Sequence, residues 1–229
     1  MEGTSRKHFR IVAARVRKFM SAAQSYKDYV LHQGLFLNSG DGPVGFDGVN
    51  LFSTAHPNGP SGNQSNKTTS ALSPLTFDTA FASMTSLQRE NGEPFRIVPR
   101  YLVVGPKNRL VGSEITKMDI RGRSVANTGL EAGAAVVASA GVSNAYNGLV
   151  DLIVDPRLVG TQDDYWYLVG EGPGGAKPMF FVEGAAPREQ LDIDLSSPTV
   201  MQNDALTFGL IADGQYAAGM WPCIYGGIL

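Results

Sequence analysis

The feature that most constrains this chain lies near its start, where residues 5–34 contain no proline and repeat apolar side chains every three or four positions. The repeating apolar residues are Phe9, Val12, Val16, Phe19, Ala23, Tyr26 and Val30. This spacing places them on one face of an α-helix, so the run predicts a single amphipathic helix roughly 40 Å long. Thr4 or Ser5 supplies an N-terminal cap, and Gly34 predicts the end of the helix.

The charge of this segment has the opposite sign to that of the rest of the chain. Up to Leu31 there are seven basic and two acidic residues, a net charge of +5, whereas the whole chain is −2 and the remainder is therefore −7. Three interpretations are open: a solvated helix face, a surface that contacts a polyanion or an acidic neighbouring subunit, or a targeting or membrane-surface helix. Glu2 and the aromatic residues in the second half of the helix argue against a cleaved targeting sequence.

Composition excludes several classes of protein. The 229 residues are enough to bury the core of one or two domains. Cys223 is the single cysteine, which excludes a disulfide framework and a cysteine-ligated zinc site, and we expect synthesis in the cytosol. No stretch approaches the roughly 20 apolar residues of a transmembrane helix, and the net charge argues against a dedicated nucleic-acid-binding protein. A charged fraction of only 17% with 27 glycines indicates many loops and large covered surfaces.

Hydrophobic periodicity along the rest of the chain predicts an α+β fold. The polar segment 36–71 predicts a long functional loop, and residues 75–91 predict a second helix. A third helix is predicted over residues 107–118, whereas residues 119–147 are predicted to form loops. Strands are predicted over residues 95–98, 101–104, 149–154, 165–169, 179–182, 191–195, 206–211 and 217–221. Early helices followed by a run of strands are typical of an α+β domain with an antiparallel or mixed sheet.

Candidate catalytic groups are few. Ser53 and His56 lie three residues apart, but no G-x-S-x-G nucleophile elbow is present, so a hydrogen-bonded turn histidine is the favoured interpretation of His56. The glycine-rich run 170–177 lacks the lysine directly after its last glycine and the following Ser or Thr of a phosphate loop, and it predicts a hairpin loop instead. Asp192 and Asp194 could hold a divalent metal in a transferase, yet alternation explains them as the solvent face of a strand. We therefore predict no catalytic residues, no cofactor and no metal, and the pattern favours a structural or assembly protein over an enzyme.

The segment LFSTAHP at residues 51–57 resembles a motif of the Mu-type major head subunit family, which are major capsid proteins of tailed phages. Further segments of the family pattern follow in the same order: Leu72-Ser73, GEPFRIVP at 92–99, YLVVGP at 101–106, NGLVD at 147–151, DPRL at 155–158, WYL at 166–168 and Lys177-Pro178. The resemblance covers residues 47–221. The chain differs from the family in being short, in nearly lacking the region before the long helix, and in having Gly209 and Asp213 where an arginine is expected.

The resemblance implies the Johnson fold of tailed-phage major capsid proteins, an α+β fold with a long spine helix, a peripheral domain and an axial domain. Residues 1–34 would form the spine helix of the peripheral domain, and residues 35–106 the rest of that domain with its long loop. Residues 107–196 would form the axial domain, and residues 197–229 would return to the peripheral-domain sheet. Contacts that strap neighbouring subunits together would come from the long loop or from an accessory protein.

The function implied by the resemblance is that of a non-catalytic major capsid protein, which self-assembles into hexamers and pentamers and forms the icosahedral shell around phage DNA. We expect it in the virion after assembly in the host cytoplasm, with copies of itself, portal, scaffold or decoration proteins and weakly held DNA as partners, and no membrane. Candidate inter-subunit contacts are Phe36, Phe46, Phe52, Trp166 and Trp221, and candidate DNA-facing residues are Arg6, Arg10 and Arg17. Two alternatives remain open: an encapsulin-like shell around cargo enzymes, and a small hydrolase or transferase that uses His56 or Asp192 and Asp194.

Overall fold

The computed structural model describes residue 18 and residues 25–35, 40–124, 139–192 and 207–229. In chain order, the helices and strands of these residues are α1 (Tyr26–Leu35), β1 (Lys67–Thr68), α2 (Pro74–Ser86), β2 (Val98–Val104), α3 (Arg109–Thr116), β3 (Ile120–Ser124), β4 (Ser139–Ser143), β5 (Asp151–Val154), β6 (Trp166–Glu171), β7 (Met179–Asp192), β8 (Thr207–Ala218) and β9 (Ile224–Gly227). This mixture of helices and sheets fits the predicted α+β class. No helix within the described ranges is long and apolar enough to cross a membrane.

The chain divides into two compact units. The first comprises Met1–Ser39 and Met179–Ala217, and the second comprises Gly40–Pro178 and Ala218–Leu229. Each unit is therefore built from two separate stretches of sequence. The assignment of residues to a spine helix, a peripheral domain and an axial domain stays a prediction.

A five-stranded sheet forms the centre of the second unit, in the order β1-β9-β6-β2-β5. β2 pairs antiparallel with β6 and parallel with β5. β6 also pairs antiparallel with β9, and β9 pairs parallel with β1. The last strand of the chain is therefore inserted between β6 and the short β1, which ties the long polar loop before β1 to the C-terminal segment.

The core of the second unit lies on both faces of this sheet. Trp166, Tyr167 and Leu168 are consecutive residues of β6 and all three are buried. Because successive side chains of a strand point to opposite faces, both faces of β6 must be covered. Helix α2 contacts β2 and β9, and it buries Phe77 and Met84.

Helix α2 begins where its local sequence dictates. The Ser73 side chain accepts a hydrogen bond from Thr76 N, the Thr76 side chain accepts one from Ser73 N, and Pro74 occupies the first turn. The helix ends at Ser86, because Leu87 has an extended ψ of 138° and turns back into the core. The predicted range 75–91 is therefore too long at its C-terminal end, and Leu75, in the first turn of α2, is exposed.

The predicted third helix is confirmed in part, and the loops predicted after it are partly wrong. A short 3₁₀ turn over Pro106–Asn108 leads into α3, which ends at Thr116. Strands β3 and β4 then pair antiparallel within the region that was predicted to be loop, while residues 125–138 lie outside the described residues. Their sequences, IRGRS and SAGVS, are rich in residues of low strand propensity, so cross-strand pairing rather than local preference forms this hairpin.

Other strand boundaries also differ from prediction. Pro99 does not separate two strands but lies inside β2, where the pairing with β6 shifts between Pro99 and Tyr101, so its missing N–H breaks no regular ladder. Residues 217–221 do not form the closing strand; a 3₁₀ turn over Trp221–Cys223 intervenes, and β9 closes the sheet. β7 continues ten residues beyond the predicted 179–182, and β8 begins close to the predicted 206–211 and continues to Ala218. Of the predicted strand 191–195, the last three residues lie outside the described residues.

In the first unit, helix α1 packs beside the two-stranded sheet of β7 and β8. Tyr26 Oη donates a hydrogen bond to Gly214 O (3.2 Å), and Lys27 Nζ pairs with Glu183 (3.4 Å) and lies 5.0 Å from the centre of the Phe181 ring. The helix predicted over residues 5–34 is confirmed for residues 26–34, and α1 ends at Leu35, one residue beyond the predicted end at Gly34. The rest of that prediction, apart from the helical residue 18, lies outside the described residues.

Candidate functional site

A buried histidine, His56, lies in the LFSTAHP segment. The His56 side chain has no exposed surface, and its ring stacks on Trp221 with centroids 4.0 Å apart and an interplanar angle of 0°. Its Nδ1 lies 2.6 Å from Asp47 Oδ2, and its Nε2 lies 3.1 Å from Asn66 Oδ1. The prediction of a hydrogen-bonded histidine at this position is confirmed, and both of its partners come from the long polar loop.

Asn66 is the hub of this buried network. Its Nδ2 faces the carbonyl oxygens of Leu51 (2.7 Å), Trp221 (3.2 Å) and Ile224 (3.1 Å). This orientation makes Oδ1 the acceptor, and Oδ1 receives the Ser53 N–H (2.9 Å). One side chain thus links three stretches of backbone, including both ends of the 3₁₀ turn before β9.

Both ring nitrogens of His56 take part in this network. Nε2 faces Asn66 Oδ1, which can only accept a hydrogen bond, and Nδ1 faces a carboxylate oxygen of Asp47. Because both nitrogens contact buried protein groups and the ring has no exposed surface, His56 is explained as a structural residue.

The other sequence motifs that were considered as candidate catalytic or binding sites have structural explanations within the described residues. Ser53 Oγ accepts the Ala55 N–H (3.1 Å). The glycine-rich run 170–177 connects β6 to β7, which belong to different sheets, so it is a connecting loop and not the predicted hairpin. Lys177 Nζ pairs with Glu171 (2.8 Å); this hydrogen bond raises the pKa of Lys177 and lowers that of Glu171.

The described residues also contain no group of three or more His, Cys, Asp or Glu side chains that could hold a metal ion. The side chain of Asp192 and all of Asp194 lie outside the described part of the chain, so that pair is not tested.

The turn over residues 44–50, which contains the His56 partner Asp47, also contains an exposed aromatic residue, Phe46. Val44 and Asn50 form an antiparallel bridge, and Gly45 N donates to Val49 O (2.7 Å) to close the turn. Phe46 lies within it with 71% of its surface exposed, next to Asp47, whose carboxylate accepts the Val49 N–H (3.2 Å) as well as contacting His56. The backbone beside Phe46 is thus held by a buried side chain while the phenyl ring faces outward.

The five residues predicted to contact neighbouring subunits do not share one environment. Phe52, Trp166 and Trp221 are buried within the second unit, where Phe52 packs 5.3 Å from Tyr167 and Trp166 Nε1 donates to Ser70 O (3.1 Å). Their burial explains their size and apolar character without a neighbouring subunit. Phe46 alone of the five is seen to be exposed, whereas Phe36 and the candidate DNA-facing residues Arg6, Arg10 and Arg17 lie outside the described residues.

Sequence reasoning missed Asp47 and Asn66, the two partners of His56. Both lie in a loop dense in Gly, Asn, Ser and Pro, where no periodicity distinguishes a buried polar residue from an exposed one. The one available signal was His56 itself, since a histidine requires polar partners when it is buried.

A comparison with protein families gives this geometry its context. The family model described as "Phage capsid protein" matches residues 8–219, which is most of the chain. No curated protein matches the chain, and no solved structure matches it. The matched range includes most of both units, the LFSTAHP segment and the Asp47, His56 and Asn66 side chains, whereas Trp221 and β9 lie beyond its end. The chain belongs to the phage capsid protein family.

Proposed function

We propose that this chain is a major head subunit of the Mu type that assembles with copies of itself into hexamers and pentamers of an icosahedral shell around phage DNA. The observation that carries the proposal is the family match over residues 8–219, because a capsid family implies self-association into a virion shell. The short sequence motifs between residues 47 and 221, which follow one another in the same order as in the Mu-type family, support the finer assignment to the Mu type. Capsid families are in general structural rather than enzymatic. The hydrogen bonds of both His56 ring nitrogens to Asp47 and Asn66 are consistent with a structural role.

Within this proposal, Phe46 is the residue best placed to contact a neighbouring subunit. Interface anchors are enriched in aromatic residues that are buried on binding, and burying a phenylalanine side chain contributes about 1.5–3 kcal/mol. Because Asp47 and His56 hold the turn, little conformational entropy is lost when the ring is bound. A shell repeats each contact in every subunit, so a modest gain per contact has a large effect on assembly.

The remaining parts of the proposal concern residues that lie mostly outside the described ranges. Residues 1–34 would serve as a spine helix of the Johnson fold, with Arg6, Arg10 and Arg17 toward packaged DNA in a weak, salt-dependent contact. Phe36 would contribute to the subunit contact. Assembly in the host cytoplasm, with portal, scaffold or decoration proteins, completes the proposal.

Electron microscopy and light scattering of the purified protein test it. We expect capsomers or closed shells, and nuclease-protected DNA inside them would separate a virus head from a shell that encloses cargo enzymes. Phe46→Ala should raise the protein concentration needed for assembly by about tenfold. Leu75→Ala is the matched control because Leu75 is equally exposed, at 75%, and should assemble as wild type. A monodisperse monomer at high concentration would contradict the proposal.

A further inference from the structure

Arg96 has an unusual backbone conformation. Its φ is +57°, and it is the one non-glycine residue with positive φ in the part of the chain that the structure describes. The left-handed region favours glycine, because a Cβ crowds the following carbonyl there. A strained arginine in a position suited to glycine indicates that its side chain has a role that local folding does not require.

Arg96 follows a compact turn that brings a second arginine beside it. Arg89 N donates to Glu93 O (2.7 Å), and Phe95 N donates to Leu87 O (2.9 Å) across the turn. The guanidinium of Arg89 lies 5.8 Å from the centre of the Phe95 ring, a cation–π contact that helps to orient it. After Arg96 the chain enters the core at Ile97, which is buried, so the turn is anchored at both ends.

The two arginines line one cavity of about 370 Å³, together with Glu93, Pro94 and Pro173. Within the described residues, neither guanidinium forms an ion pair. Guanidinium groups bind carboxylates and phosphates through pairs of parallel N–H donors, so two of them in one cavity form a site for an oxyanion.

We propose that the Arg89–Arg96 cavity binds a carboxylate side chain of a second copy of this chain, in the contact between neighbouring subunits. The occupant rests on the proposed function, because a capsid subunit binds copies of itself. Charge complementarity supports it, since the chain beyond residue 31 carries a net −7 and therefore offers many carboxylates. Glu93 in the cavity wall reduces the net positive charge of the site, which suits a single carboxylate better than the continuous line of phosphates of DNA.

Arg96→Gly tests the proposal, because it removes the side chain and at the same time relieves the left-handed strain. The variant subunit should melt at the wild-type temperature or higher, yet require about tenfold more protein to assemble. Arg109→Gln is the control, since Arg109 is an exposed arginine on α3 outside the cavity, and it should leave both quantities unchanged. Wild-type assembly by Arg96→Gly, or a clear fall in its melting temperature, would overturn the proposal.

A titration of the unassembled subunit with glutarate separates this site from the proposed function. At low salt, glutarate should shift the arginine Nε–Hε NMR signals of Arg89 and Arg96 in a roughly millimolar range and leave Arg109 unchanged. If wild type fails to assemble but glutarate binds, the proposed function fails and the oxyanion site stands. If glutarate shifts neither signal, the site is wrong whatever the assembly result. A short DNA duplex that shifts both signals more strongly than glutarate would overturn the carboxylate assignment in favour of phosphate.

Discussion

Replacing Asn66 by alanine should destabilise the second unit more than any exposed polar substitution in the same loop. The Asn66 side chain is fully buried and connects the backbone of the LFSTAHP segment to the two ends of the 3₁₀ turn before β9. Alanine keeps the backbone but removes the amide, so the partners of that amide stay buried without a replacement from solvent.

The magnitude follows from the groups left behind. The His56 Nε2–H and the Ser53 N–H both lose their acceptor, and each unsatisfied donor costs about 1–3 kcal/mol, or about 2–6 kcal/mol together. The three carbonyls that faced Nδ2 add to this value, because its two hydrogens are lost as well. The free energy of unfolding of a typical domain is about 5–15 kcal/mol, so Asn66→Ala should remove a large part of the stability.

Urea denaturation of the unassembled subunit, followed by tryptophan fluorescence, measures the effect because Trp221 stacks on His56 within the network. Asn63→Ala is the matched control: Asn63 is an exposed asparagine three residues away, and its loss should change the free energy of unfolding by less than about 0.5 kcal/mol. A loss below about 1 kcal/mol for Asn66→Ala would refute the reasoning, because it would mean that the buried donors find other acceptors.

Three further outcomes follow from the packing of β6 and β9. Gly227→Ala would place a Cβ inside the indole ring of Trp166, and urea denaturation should show a loss of at least about 1–3 kcal/mol. Burial raises the pKa of Tyr167, so the folded state keeps a proton that the unfolded state loses near pH 10. Stability should therefore fall by about 1.4 kcal/mol per pH unit above that value, less steeply in Tyr167→Phe; identical slopes would contradict this. Burial also raises the pKa of the Cys223 thiol, so a disulfide reagent at pH 8 should modify the folded subunit at least about tenfold more slowly than the urea-unfolded chain, and equal rates would disprove it.

Local signals in the sequence were sufficient for elements whose cause is local. The Ser73-Pro74 pair is a local signal of this kind, because capping satisfies the first N–H groups of α2 whatever surrounds it, and the helix starts within one residue of the predicted position 75. Apolar runs predicted β5 and β6, and the side chains of β6 are mostly buried whereas those of β5 are exposed or half-buried. The apparent absence of catalytic chemistry, together with the order of short segments, was enough to indicate a capsid protein, which the family match supports.

Side-chain environments depended on contacts between distant parts of the chain. Phe46 and Phe52 are both phenylalanines of the same loop, yet Phe46 is exposed while Phe52 packs on Tyr167, more than a hundred residues later. No periodicity within the loop distinguishes them, because burial is decided by what the rest of the chain places against each residue.

The sequence by itself therefore determined the α+β class, the positions of β5 and β6 and the phage capsid family to which the chain belongs. Only the tertiary structure decided that His56 is held between Asp47 and Asn66, that Trp221 covers it, and that Arg96 adopts a left-handed conformation. The physical reason is the separation in sequence of the interacting residues. Caps and periodic patterns act over a few residues, whereas Asn66 and Trp221 are 155 residues apart and come into contact only when β9 pairs in the sheet.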